Sequence, residues 1–237
     1  MKKLLVALFS MTLFSAQAQT ADDIIQKYTT NMGGLEAFNK ISTLKMTGTV
    51  STQGMDLPIT VQIVNGKGMR SDVEVMGQTI SNGYGNGTGW KINPMQGATT
   101  AAKVTGSELN DLKTQSMLAS QLMDYKARGH AVELLGEETV DGVKASKIKL
   151  TNKDDGKITT YYISTKDNVL IKSVGTKEVQ GQQTEITSVY SDLKEFGGVK
   201  FFMTRSMQMN GEEFQAIVFN KIELNVPVDE KIFEMPK

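Results

Sequence analysis

Along most of this chain apolar and polar residues alternate one for one, the period of a strand with one covered face. Leu44, Met46, Gly48 and Val50 interleave with Lys45, Thr47 and Thr49, and Ile59, Val61 and Ile63 with Thr60 and Gln62. Past Asn65-Gly66, the residues Met69, Ser71, Val73 and Val75 take turns with Arg70, Asp72 and Glu74. Short turns between successive strands imply antiparallel neighbours. With Gln78 to Asn82 and Trp90 to Asn93, the pattern predicts a meander of about five strands. A second meander is predicted from Val132 to Leu135, Ala145 to Thr151, Ile158 to Ser164, Val169 to Thr176, Gln183 to Leu193, Val199 to Met209 and Glu213 to Leu224. Asp141-Gly142, Asp155-Gly156, Gly181, Gly197-Gly198 and Asn210-Gly211 supply its turns.

Helical spacing interrupts this rhythm twice. Thr20 is placed to cap a helix whose first turn carries Asp22 and Asp23, where carboxylates favour the dipole. Ile24, Ile25 and Tyr28 share its inner face, Gly33-Gly34 stops it, and a shorter helix from Leu35 to Lys40 turns Leu35 and Phe38 inward. The second interruption, Thr105 to Tyr125, sets Leu109, Leu112, Met117, Leu118, Leu122 and Met123 near helical spacing behind a cap at Ser107. It reads as a helix packed over one face of the sheet, or as a movable cover above an apolar interior.

Two stretches stand out within the strands. Asn82 to Pro94 spaces Gly83, Gly85, Gly87 and Gly89 evenly, with Asn86-Gly87 the strongest short-range hairpin signal. The only tryptophan, Trp90, then shares a strand face with Ile92, and Pro94 closes the strand. A nucleotide-binding reading fails, because Gly83-Tyr84-Gly85 is followed by Thr88 where a glycine is needed, and no helix follows. In Val199 to Met209, Val199, Phe201, Met203, Arg205, Met207 and Met209 line one face. An arginine in such a row either pairs with a buried acceptor or sits at a mouth that water reaches.

The ends and the composition narrow the setting. Met1 to Gln19 has a basic start at Lys2 and Lys3, an apolar run from Leu4 to Phe14, and the cleavage-like Ala16-Gln17-Ala18. Those apolar residues reach about 16 Å as a helix, roughly half the hydrocarbon core, so a cleaved secretory leader over residues 1–18 is expected. No cysteine is present to accept lipid at the cleavage point, so the expected mature chain, residues 19–237, is released outside the inner membrane rather than anchored. The 26 basic residues balance the 26 acidic ones, which gives no support to nucleic-acid binding. The absence of cysteine also removes disulfides, thiol catalysis and cysteine metal sites.

Little remains for catalysis. His130 is the one histidine and has no nucleophile motif beside it, so it reads as structural, and no zinc set can be assembled. Asp154 and Asp155 read as a hairpin turn rather than a calcium loop, and Glu137-Glu138 as an exposed turn. Methionine is the unusual count, 14 in all, and reads as ordinary core filling or as a lining that adapts to flexible apolar partners.

Taken together, the leader, the capped helix, the two meanders and their helical interruption resemble the LolA/LolB-like group of lipoprotein carriers. Gly87-Thr88-Gly89-Trp90 with Asn93-Pro94 is similar to that family's glycine turn, aromatic and strand end. Phe233-Glu234-Met235-Pro236 is similar to its terminal signature, and Gly33-Gly34-Leu35 with the strand pair from Gly136 to Leu150 to related secreted proteins. The resemblance implies a mainly β chain with a few helices, its strongly curved antiparallel sheet forming an incomplete barrel covered by helices. It implies a non-enzymatic carrier or sensor without cofactor, acting as a monomer in the periplasm of Gram-negative bacteria. The ligand would be an acylated lipoprotein or a lipid, and inner- and outer-membrane envelope proteins its further partners. The acyl-chain lining would be Met46, Ile63, Met69, Val73, Trp90, Ile92, Met117, Leu118, Leu122, Met203 and Met207. The family's sorting carrier holds its cover with an arginine near the start of the third strand. Here Asn65-Gly66-Lys67-Gly68-Met69-Arg70 lacks the Arg-Pro pair, and Arg70 and Arg205 are the expected gate contacts. The alternatives are an envelope protein-interaction module built on the same curved sheet, and a secreted hydrolase using paired carboxylates.

Overall fold

Thr20 caps helix α1 (Ala21–Asn31) as expected, its hydroxyl accepting from the Asp23 N–H while the Asp23 carboxylate accepts from the Thr20 N–H. Helix α2 (Leu35–Lys40) follows and buries Phe38. The computed structural model describes residues 20–179 and 182–237. The leader expected over residues 1–18 and the turn at Gly181 lie outside the described residues.

The first meander is β1 (Thr43–Thr52), β2 (Met55–Val64), β3 (Gly68–Val75), β4 (Gln78–Gly85), β5 (Thr88–Asn93) and β6 (Ala98–Val104). Strand β6 escapes a periodicity reading because it is an edge strand that buries only Val104 and so needs no apolar alternation. The second meander is β7 (Ala131–Val140), β8 (Val143–Thr151), β9 (Ile158–Ser164), β10 (Leu170–Val179), β11 (Gln182–Phe196), β12 (Val199–Met209) and β13 (Glu212–Leu224). Glu137 and Glu138 lie within β7 rather than in a turn, and face Lys144 and Lys147 across the β7–β8 ladder at 2.6 and 3.1 Å.

Among the described residues all thirteen strands join one curved, unclosed antiparallel sheet in the order β6-β5-β4-β3-β2-β1-β13-β12-β11-β10-β9-β8-β7. Each meander pairs only with itself except at the centre, where β1 meets β13. Strands β6 and β7 are therefore the two free edges, and the chain between them must cross from one edge to the other.

That crossing is the expected cover, but it is not one helix. Helix α3 (Gly106–Gln115) begins after Thr105 rather than Ser107 and ends at Ser116, whose hydroxyl turns back onto the Lys113 carbonyl at 2.6 Å. A run of turns then leads to the single-turn α4 (Tyr125–Arg128). The apolar residues split accordingly between two cores. Ala119, Leu122, Met123 and Tyr125 pack with Ile24, Ile25 and Tyr28 of α1 and with Ile148, Leu150 and Ile163 of the β8–β9 wing. Leu112 packs instead with Leu44, Ile63, Met69, Val104 and Met203 on the other wing.

Candidate functional site

The cover is attached unevenly. Its second half is held by buried side chains, by Arg128 donating to the Ala119 carbonyl at 2.7 Å, and by Asn65. The Asn65 amide donates to the Phe38 and Ile41 carbonyls at 3.2 and 3.0 Å, and its oxygen accepts from the Leu118 N–H at 3.1 Å. Helix α3 has less to hold it. Leu109 and Leu112 rest on the sheet at Gly89, where an added Cβ would come within 2.9 Å of Leu109 and 2.6 Å of Val104. Three ion pairs complete the attachment: Lys91 of β5 with Glu108, and on the far wing Lys157 with Asp111 and Asp154 with Lys113. The Lys91–Glu108 and Lys113–Asp154 pairs are open to water and contribute about 0–1 kcal/mol each, while the Lys157–Asp111 pair is partly buried.

Beside α3 the inner face opens into a hollow of about 510 Å³. Met207, Ile186 and Ile217 are its apolar patches. The rest of the lining is mostly hydroxyl, amide and charge, with Asp111, Lys157, Lys177 and Arg205 the charged members. The continuous greasy lining expected from the methionine count is not what the fold builds. Ile63, Met69 and Met203 are packed into the core under α3, with Met46, Val73 and Leu118 against it. Leu122 is fully buried in the other core, and Met117 is half-buried. Of the expected lining, Met207 alone faces the hollow, together with the expected gate residue Arg205.

Trp90, Ile92 and Arg70 lie on the opposite face. The register sets Arg70 against Gly83 and Gly83 against Trp90, while Met69 pairs with Tyr84 and Tyr84 with Gly89. Cross-strand partners share a face, so Trp90 and Met69 point to opposite sides. Trp90 is covered by the C-terminal tail: its indole N–H donates to the Phe233 carbonyl at 2.8 Å. The Arg70 guanidinium sits 5.5 Å from the indole centre and is held by Asp72, which also accepts from Ser81. Gly83 makes the site, since a Cβ there would lie 2.3 Å from the indole. The glycine-tryptophan motif and the terminal Phe-x-x-Pro motif thus meet as a clamp on the outer face. Arg70 braces that clamp and does not touch the cover.

His130 is structural. It is buried, and its Nδ1 accepts from the Lys153 N–H at 3.2 Å. Burial, and then the nearby Arg128 charge, hold its pKa below the ordinary 6.5, against the opposing pull of Asp154, Asp155 and Asp124. Protons therefore bind the unfolded chain more readily. Stability should be full above about pH 6.5 and fall as pH drops from there toward the folded pKa. His130→Asn, which keeps an acceptor and loses the titration, should flatten the urea midpoint between pH 7.5 and 5.5. An unchanged slope would remove His130 from this role. Among the described residues no three His, Cys, Asp or Glu side chains group as metal ligands.

No family model matches this sequence, and no curated protein matches it. Solved structures do match by shape. A LolA superfamily protein from Nitrosomonas europaea superposes with a TM-score of 0.58 at 14% identity, over 92% of this chain and 98% of its own. A DUF1329 family protein from Desulfovibrio piger gives 0.61 at 11% identity, over 92% and 98%. A domain named for outer-membrane lipoprotein sorting, from Vibrio parahaemolyticus, gives 0.58 at 10% identity, over 90% and 95%. The chain has the LolA-like fold: one curved, unclosed antiparallel sheet with helices over its inner face.

Proposed function

We propose that this protein is a non-enzymatic binding protein of the cell envelope, exported by residues 1–18, that takes up the acyl chain of a lipoprotein or lipid beneath helix α3. The observation that carries this reading is the uneven attachment of the cover. Of helix α3 only Leu112 is buried, with Leu109 half-buried beside it, and three ion pairs tie the helix down, whereas Ala119, Leu122, Met123 and Tyr125 of the segment after it are all buried in the core. Beneath it lie Met69, Val104 and Met203, and Ile217 joins that core to the hollow. The lipoprotein-sorting name of one structural relative agrees with such a ligand.

The magnitudes favour exchange. Exposing the buried Leu112 costs about 1.5–3 kcal/mol and exposing the half-buried Leu109 costs less. Burying a sixteen-carbon chain returns about 12 kcal/mol, at roughly 0.8 kcal/mol per methylene. The surplus, less the cost of immobilising the ligand, suits binding that can be reversed. With the cover closed the free protein keeps its apolar floor from water.

The test is titration with a fluorescent sixteen-carbon acyl probe. Saturable binding at one probe per chain is expected. Lys91→Glu, which sets like charges against Glu108, should speed uptake up to about fivefold, and adding Glu108→Lys should restore the original rate. Absence of probe binding in both the wild type and the Lys91→Glu variant would overturn the reading.

A further inference from the structure

The hollow beside α3 carries more positive charge than its own carboxylate can neutralise. Three cations line it, Lys157, Lys177 and Arg205, against the single carboxylate of Asp111. Lys157 is spoken for by Asp111 at 2.9 Å. Among the described residues neither Arg205 nor Lys177 has an ion-pair partner, though both stand on the inner wall.

Arg205 is aimed rather than loose. Its Nε and Nη2 both donate to the Ser188 hydroxyl, at 3.2 and 2.9 Å. The Tyr190 ring lies 5.8 Å from the guanidinium carbon, and the Tyr190 hydroxyl is fixed in turn by Ser173 at 3.0 Å. A guanidinium carries five N–H donors, so about three remain for whatever occupies the hollow. Lys177 follows Gly175 on the same face of β10, near enough for the charges to act on one another. Burial, and then the Arg205 charge, hold the Lys177 ammonium below its ordinary range, with Asp111 opposing and Lys157 adding to the depression. Solvent still reaches Lys177 from the open side. Like charges kept together in a concave wall raise the local concentration of anions. A planar fork beside a point charge suits a tetrahedral oxyanion, which Arg grips through two oxygens. Ser173, Thr176 and Gln215 add neutral hydrogen-bonding groups to the lining, Met207 and Ile186 add apolar ones, and Ile217 packs against the core under α3.

We propose that this hollow binds a phosphate-bearing head group, with Arg205 and Lys177 as its anion-binding residues and the attached acyl chain running under α3. This rests on the acyl-binding reading above, and it narrows the ligand to an anionic phosphate amphiphile.

Competition against the acyl probe, in phosphate-free buffer with monomeric short-chain lipids, tests it. Dihexanoyl phosphatidic acid should displace the probe at about a tenfold lower concentration than dihexanoyl phosphatidylcholine. Arg205→Gln should reduce that ratio to about twofold, and so should Lys177→Gln, a solvent-reached position that serves if the arginine variant does not fold. Equal competition by the two lipids, with probe binding intact, would overturn the head-group site and leave the acyl reading standing. Protection against thermal unfolding by inorganic phosphate, lost in Lys177→Gln, without any probe binding would support the anion site with free phosphate as its source and overturn the acyl chain. Neither probe binding nor phosphate protection would overturn both.

Discussion

Trp90→Ala should lower the unfolding free energy by about 3–5 kcal/mol, the range for removing a large buried aromatic. The indole is fully buried, fills the space left by Gly83, and ties the C-terminal tail to the sheet through the Phe233 carbonyl. Gly83→Ala should act in the same direction without deleting a contact, because its methyl would sit 2.3 Å from the ring and β4 is held on both sides by its ladder. Urea midpoints by far-UV circular dichroism, at unchanged slope, measure both. In the wild type the single tryptophan reports on the clamp directly. Phe233→Ala should shift its emission to the red, since water would then reach the indole. A loss below about 1 kcal/mol for Trp90→Ala would mean that the tail does not seal this face.

Leu112→Asp should have the second large effect, and a different kind of outcome. The side chain is buried at the foot of α3, so an unpaired carboxylate there favours the state in which the helix leaves the sheet. About 2–5 kcal/mol of stability should be lost, with the strand signal largely retained and binding of an apolar dye increased. Leu122→Asp is the control. Leu122 is fully buried in the core shared with α1, so its replacement should unfold the protein as a whole. Equal behaviour of the two variants would show that α3 is an ordinary part of the core, and the cover would lose its role.

These expectations depend on faces, and faces were the least legible feature of the chain. In β5 the apolar residues are Trp90 and Ile92, and the alternation points them toward the interior. The inner face of β5 is instead Gly89 and Lys91, a small residue on which α3 lands and a lysine that reaches Glu108. An apolar stripe says that something covers it, and here the cover is the tail around Phe233, more than a hundred residues further along. The methionine row of β12 is a related case. Met203 is consumed by packing, Met207 is left at the hollow, and Arg205 between them finds Ser188 on the neighbouring strand. That acceptor was foreseeable as a need but had no address in the sequence.

Local rules carried much further. The Thr20 capping box, the Asn86-Gly87 turn and the seven strands of the second meander all follow from residues within a few positions of one another. Strand periodicity and turn chemistry are short-range, so they can be read without knowing what lies opposite. Tertiary structure alone decided that β1 would close against β13, that the crossing would break at Ser116 into a short helix and a buried turn, and that Lys157, Lys177 and Arg205 would share one hollow. Each of these depends on contacts between residues far apart in the chain. Their free energy comes from surfaces that meet only once the sheet has curled, and no window of neighbouring residues contains both sides.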